Sequence, residues 1–313
     1  MGKVHYTVVM TYYRLLRKLR SAGVEPAPQT LRTTADRFGA LLPMPFNTRL
    51  ELDKLGGQPC GRVTYRLAQR SGVFIFIHGG GFAFGSVNTH KVAVAHFCKM
   101  TGMTGYIPEY RLSPEHPYPS PLDDCYAAYL DICKRHSDEP VYLLGDSAGG
   151  NLAAALVLRL KEKGKRLPDK LVLMSAWLDI SAESESIVKN RDEDSLFDGE
   201  DLLHYGRNYT GSADPTHPEL SPLRGDVSGF PPTLIQVAEN ELLFFDSKRF
   251  AEKLEAAGVP MALSAWPELF HSWQLFPDFV PEAKLALQEA AEFLSAASLE
   301  HLTSSAQVNR ETI

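Results

Sequence analysis

The chain of 313 residues predicts an α/β protein, with a mostly parallel, eight-stranded sheet flanked by helices. Three observations predict it. Short apolar runs alternate with stretches of helical periodicity. One such run, Val141-Tyr142-Leu143-Leu144, leads through Gly145-Asp146-Ser147-Ala148-Gly149 into an Ala/Leu-rich stretch from Asn151 to Leu160. Another, Val73–Ile77, ends on His78-Gly79-Gly80-Gly81-Phe82. Two glycine-rich turns therefore sit where strands are expected to stop.

The expected strands, in order, are Arg49–Leu55, Gly61–Leu67, Val73–Ile77, Met103–Pro108, Val141–Leu144, Lys170–Ser175, Thr233–Ala238 and Pro260–Trp266. The first two are close in sequence and predict an antiparallel pair at the sheet edge, turning around Gly56-Gly57. The expected helices are Asn88–Met100, Pro121–Arg135, Ala148–Lys163, Asp246–Ala257 and Pro281–Ala297. Residues 1–45 read as one or two amphipathic helices, with Val8, Tyr12, Leu15, Leu16 and Leu19 at helical spacing. Residues 182–225 are polar and rich in turn residues, from Ala182-Glu183 to Ser221-Pro222. These two stretches predict a helical cap over the sheet, leaving 46–181 and 226–302 as the sheet-bearing domain. Residues 303–313 read as a disordered tail.

Composition narrows the function. Thirty-two basic residues against 38 acidic ones give a net charge of −6, with no basic stripe, which argues against nucleic acid as a partner. No run approaches the roughly 18 apolar residues that span a bilayer. The basic N-terminus lacks the apolar core of a signal peptide, and Tyr6 occupies the Ser/Thr position that myristoylation after Met1-Gly2 would need. The expectation is a cytoplasmic protein with no membrane partner. Cys60, Cys98, Cys125 and Cys133 lack metal-ligand spacing and read as buried free thiols.

The chemistry is expected at Ser147. A serine between a strand and a helix is lifted out on a sharp turn, with the helix N-terminus beside its oxygen. An alcohol is a poor nucleophile near neutral pH, so it needs a base, usually histidine. His271, in Trp266-Pro267-Glu268-Leu269-Phe270-His271, follows the last expected strand. His204 and His217 fall in the polar segment, and His301 lies near the chain end. A carboxylate should orient the histidine and stabilise its charged form. Three acids compete after the strand Thr233–Ala238: Glu239, Glu241 and Asp246. Glu241 fits best, Asp246 reads as the N-cap of the next helix, and Glu239 as a loop residue. Backbone N–H groups must hold the negative oxygen of a tetrahedral intermediate. Gly80 and Gly81 are the expected donors, with Ala148 as a third; Gly79 is a substitute. His78 is expected to brace this loop. The run after His78 lacks G-x-G-x-x-G spacing and does not open a nucleotide site.

Together these residues resemble the α/β-hydrolase esterases of the hormone-sensitive-lipase type. His78–Gly81 matches the HGGG loop and Gly145–Gly150 the GDSAGG elbow. Tyr110-Arg111-Leu112-Ser113-Pro114-Glu115-His116-Pro117-Tyr118-Pro119 is similar to YRLAPEHPFP, with serine replacing alanine, and Trp177-Leu178-Asp179 is similar to WLD. The sequence departs at the acid: Glu241-Leu242-Leu243 stands where many members have Asp-Pro-Leu. The resemblance implies an α/β-hydrolase fold with a mobile cap and hydrolysis of short acyl esters through an acyl-enzyme. It implies no cofactor and no metal. Members are often dimeric, which leaves a homodimer open. Phe82, Phe84, Phe197, Leu202 and Tyr205 are candidates for lining the acyl and alcohol pockets, with core packing the alternative for each. Amide or formamide hydrolysis by the same triad is the rival reaction. A non-catalytic receptor is disfavoured, because receptors of this type lack the histidine that His271 supplies.

Overall fold

The computed structural model describes residues 28–68, 71–181, 184–194 and 196–296. It holds one eight-stranded sheet: β1 (Thr48–Leu55), β2 (Gln58–Tyr65), β3 (Val73–Ile77), β4 (Thr104–Pro108), β5 (Val141–Asp146), β6 (Lys170–Met174), β7 (Thr233–Ala238) and β8 (Met261–Trp266). The spatial order is β1-β2-β4-β3-β5-β6-β7-β8. β2 runs antiparallel to both β1 and β4, and β4 through β8 are parallel. The edge pair turns through Gly56-Gly57, with Leu55 opposite Gln58, as expected. That register starts β2 three residues earlier than the sequence predicts, because pairing begins immediately at the turn.

Every residue of β3, β5 and β7 is buried, which is why these strands read as continuous apolar runs. Period-two alternation divides their side chains between two cores. Ile75, Leu143 and Leu173 face one core, with Leu122 and Tyr129 of α3 (Ser120–Arg135), Leu152 of α4 (Ser147–Glu162) and Phe250 of α7 (Phe244–Ala256). Phe74, Leu144 and Val172 face the other, with Phe97 of α2 (Val87–Thr101) and Leu287 and Phe293 of α8 (Pro281–Ser295). Parallel strands require crossovers, and here helices supply them on both faces. Cys60, Cys98 and Cys125 are buried free thiols; Cys133 is only half-buried, unlike the expectation.

Within 1–45 the described part forms α1 (Pro28–Leu41); the stretch from Val8 to Leu19 lies outside the described residues, as do Met1-Gly2 and the tail 303–313. The 182–225 insertion, expected as part of a helical cap although no helix bounds could be set within it, carries α5 (Glu185–Lys189) and α6 (Gly199–Thr210). A capping box opens α6: Asp198 accepts from the Asp201 N–H, and the Asp201 carboxylate accepts from the Asp198 N–H. No helix among the described residues is long and apolar enough to cross a membrane.

Candidate active site

The C-terminal ends of β3, β5, β7 and β8 bring four loops together. At the end of β5 the chain must reverse into α4 within one residue. Ser147 does so with φ of 51°, in the left-handed region. The turn fits only because Gly145 and Gly149, two residues to either side, lack side chains. A Cβ on Gly149 would lie 2.1 Å from the Ile77 carbonyl oxygen and 2.5 Å from that of His78. Close approach of β3 to the start of α4 therefore demands glycine.

His271 lies beyond β8 and Glu241 beyond β7. The His271 Nε2 is 2.9 Å from Ser147 Oγ, and its Nδ1 is 3.0 Å from Glu241 Oε2. Of the competing acids, the structure brings Glu241 to the histidine. Asp246 departs from its expected role. The turn after β7, closed by Phe244 N–H on the Glu241 carbonyl, starts α7 at Phe244 with Leu243 at the N-cap position. Asp246 thus lies inside the first turn, buried, accepting from the Asp179 N–H at 3.2 Å.

Burial would push the imidazolium of His271 down, but the Glu241 hydrogen bond and charge, with Asp194 and Asp146, overcome it and hold its pKa above the usual histidine value. Burial raises the Glu241 carboxyl against the opposing pull of His271. Both nitrogens of the His271 ring are engaged, Nε2 by Ser147 and Nδ1 by Glu241.

The glycine loop is organised by a residue the sequence reading passed over. Asp146 Oδ1 accepts from the Gly79 N–H at 2.8 Å and lies 3.1 Å from His90 Nε2; Oδ2 accepts from Ser272 Oγ at 3.1 Å. One buried carboxylate thereby joins the loops that bear Gly80, Ser147 and His271. Burial opposes its charge, but His90 and the Gly79 N–H keep its pKa below the ordinary range. The only sequence signal was an acid beside Ser147; its partners are far apart in the chain. Its bond to Gly79 engages that amide, which removes Gly79 as a substitute oxyanion donor. Beyond it Gly80 turns with φ of 112°. Ala148 lies in the first turn of α4, where N–H groups have no intrahelical acceptor.

His78 braces the loop as expected. Its Nδ1 is 2.9 Å from the Gly79 carbonyl, and its ring stacks on Tyr110 at 4.2 Å. Burial, then His90, lowers its pKa to about 3, so it stays neutral.

The pocket candidates divide. Phe197 stands edge-on to His271 at 5.2 Å, and the Tyr205 ring lies 3.0 Å from where a Cβ on Gly81 would be. Phe84 packs edge-on to Tyr205, and Leu202 is buried in the same helix. Phe82 is fully buried and stacked on Tyr209 at 3.6 Å, in the same core cluster that holds Phe197, Leu202 and Tyr205. Its ring contacts, with Tyr209 and Trp177, are those of the core-packing alternative.

Comparison with known proteins agrees with this fold. Residues 74–275 match the α/β-hydrolase fold family. An esterase of Acinetobacter venetianus is 36% identical over 276 residues, 88% of this chain and 91% of that protein. An acetyl-hydrolase of Streptomyces hygroscopicus is 34% identical, covering 78% of this chain and 82% of its own. The crystal structure of an esterase from the bacterial hormone-sensitive lipase family superposes with a TM-score of 0.86 at 32% identity, covering 93% of this chain and 97% of that one. The chain belongs to the α/β-hydrolase fold family and is a carboxylic ester hydrolase of the hormone-sensitive-lipase type.

Proposed function

We propose that Ser147, His271 and Glu241 act as the catalytic triad of a serine carboxylesterase that prefers short acyl chains. The observation that carries the reading is the unbroken contact from Ser147 Oγ through both imidazole nitrogens to Glu241 Oε2. His271 takes the proton as Ser147 Oγ attacks the ester carbonyl. The amides of Gly80, Gly81 and Ala148 receive the resulting oxyanion. Collapse expels the alkoxide with the proton from His271 and leaves an acyl-serine. Water, deprotonated by His271, releases the acid and restores Ser147. Glu241 stays ionised and stabilises the imidazolium.

The preference for short chains is supported by how closely the insertion covers the site. Phe197, Leu202 and Tyr205 are all buried, and Ser147 itself is only 7% exposed. The acetyl-hydrolase relative points to the same acyl size. The described parts of residues 1–45 and 182–225 are read as belonging to the cap that moves to admit substrate.

The test is hydrolysis of p-nitrophenyl esters from acetate to palmitate. Turnover should be highest at short chains, and Ser147→Ala should lower kcat by about 10⁶-fold. An optimum at palmitate, or an active Ser147→Ala, would overturn the reading. Faster turnover of the matched anilide would favour the amidase instead.

A further inference from the structure

We propose that Ser186, Asn190 and Asp194 form a positioning ladder by which the insertion aims Glu241 at His271. The inference rests on Glu241 being the triad acid. The Asn190 N–H donates to the Ser186 carbonyl at 2.8 Å, and the Asp194 N–H to that of Asn190 at 2.9 Å. This i to i+4 register places the three side chains on one face. All three are buried, at 0%, 9% and 3% exposure.

All three grip the loop after β7. Ser186 Oγ donates to the Leu242 carbonyl. Asn190 Nδ2 donates to the carbonyls of both Glu239 and Glu241, each at 2.9 Å. Asp194 Oδ2 accepts from the Leu242 N–H at 2.9 Å. Buried polar groups of an irregular loop must find partners, and these side chains supply them on either side of the Glu241 Cα. A glutamate has one more rotatable bond than the usual aspartate, so its aim depends more on a fixed backbone. Asp194 has a second hold: Oδ1 accepts from the Leu196 and Phe197 N–H groups at 2.8 and 3.0 Å. Phe197 is the ring that stands against His271. One carboxylate thus ties together the backbone beside the acid and the ring beside the base.

A ladder that merely fastened the insertion would show itself in substrate binding and stability. One that aims Glu241 shows itself in kcat and only when Glu241 is present. The experiment is a double-mutant cycle with p-nitrophenyl acetate, pairing Asn190→Ala with Glu241→Ala and checking folding by thermal melt. Asn190→Ala should lower kcat by about 10²-fold, the scale of a misplacement near 1 Å, with KM changed by less than about twofold. In the Glu241→Ala background the same change should cost less than about twofold further. An equal loss in both backgrounds, or no loss in kcat, overturns the ladder. If Asn190→Ala does not fold, Ser186→Ala, which removes one donor, runs the same cycle and decides it. If Glu241→Ala alone keeps full kcat, the triad assignment falls instead, a separable outcome.

Discussion

At the scale of single residues, the site turns on the ionisation of His271. The imidazole is buried, and the acids facing it are Glu241 from the loop after β7, Asp194 from the insertion and Asp146 from β5. Their combined pull exceeds the burial penalty, so the conjugate acid persists to higher pH than in a free histidine. A base must be neutral to accept a proton. The rate should therefore rise with pH, and the half-point of kcat/KM should lie above about 6.5, the ordinary value. A pH profile of kcat/KM checks this, and a limb centred below 6 contradicts it. Glu241 could be singled out from Glu239 and Asp246 by spacing, but which carboxylate reaches the ring was a question of where the loop after β7 turns.

At the scale of elements, the strand–turn–helix at 141–162 was legible because its requirements are local. An apolar run, a glycine-flanked serine and an Ala/Leu-rich helix are contiguous in the chain. The reason for Gly149, however, is nonlocal: the carbonyls of Ile77 and His78 on the neighbouring strand end occupy the space of its Cβ. Those atoms are backbone and cannot swing aside. Gly149→Ala should destabilise the protein by about 1–3 kcal/mol or more, the cost of overpacking, and lower the thermal midpoint by several degrees. An unchanged midpoint by circular dichroism would refute this close approach. The sequence predicts a helical cap from the insertion but does not give the bounds of its helices. α5 is short and turns Ser186 to the loop after β7, and Asn190 just beyond it does the same, so it carries no apolar stripe, whereas α6 buries Leu202, Tyr205 and Tyr209 on one face.

At the scale of the whole molecule, stability should carry a signature of the buried acid Asp246. Burial raises its carboxyl from 3.8 to about 7. The unfolded chain therefore binds fewer protons than the folded one between these values. Stability contributed by this group is fully present below about pH 4 and is lost as pH rises through about 7. Asp246→Asn keeps an acceptor for the Asp179 N–H without the charge. It should raise stability at pH 8, on the order of 2 kcal/mol, and leave it nearly unchanged at pH 4. Urea unfolding at the two pH values tests the difference, and equal effects at both would remove Asp246 as the cause.

The sequence by itself determined the α/β class and every strand of the sheet to within a few residues. It also singled out Ser147, Glu241 and His271, which lie in sequence-distant loops with the serine and the glutamate each within hydrogen-bond distance of the histidine. These rest on periodicity and on contiguous motifs, whose causes lie within a few residues of each other. Tertiary structure alone decided that Asp146 links three loops, that Gly79 is engaged, that Phe82 belongs to the core, and that Ser186, Asn190 and Asp194 grip the acid loop. Each depends on which strand ends lie side by side, a consequence of sheet order and crossover. Hydrogen bonds between residues dozens of positions apart leave no periodic trace in the chain.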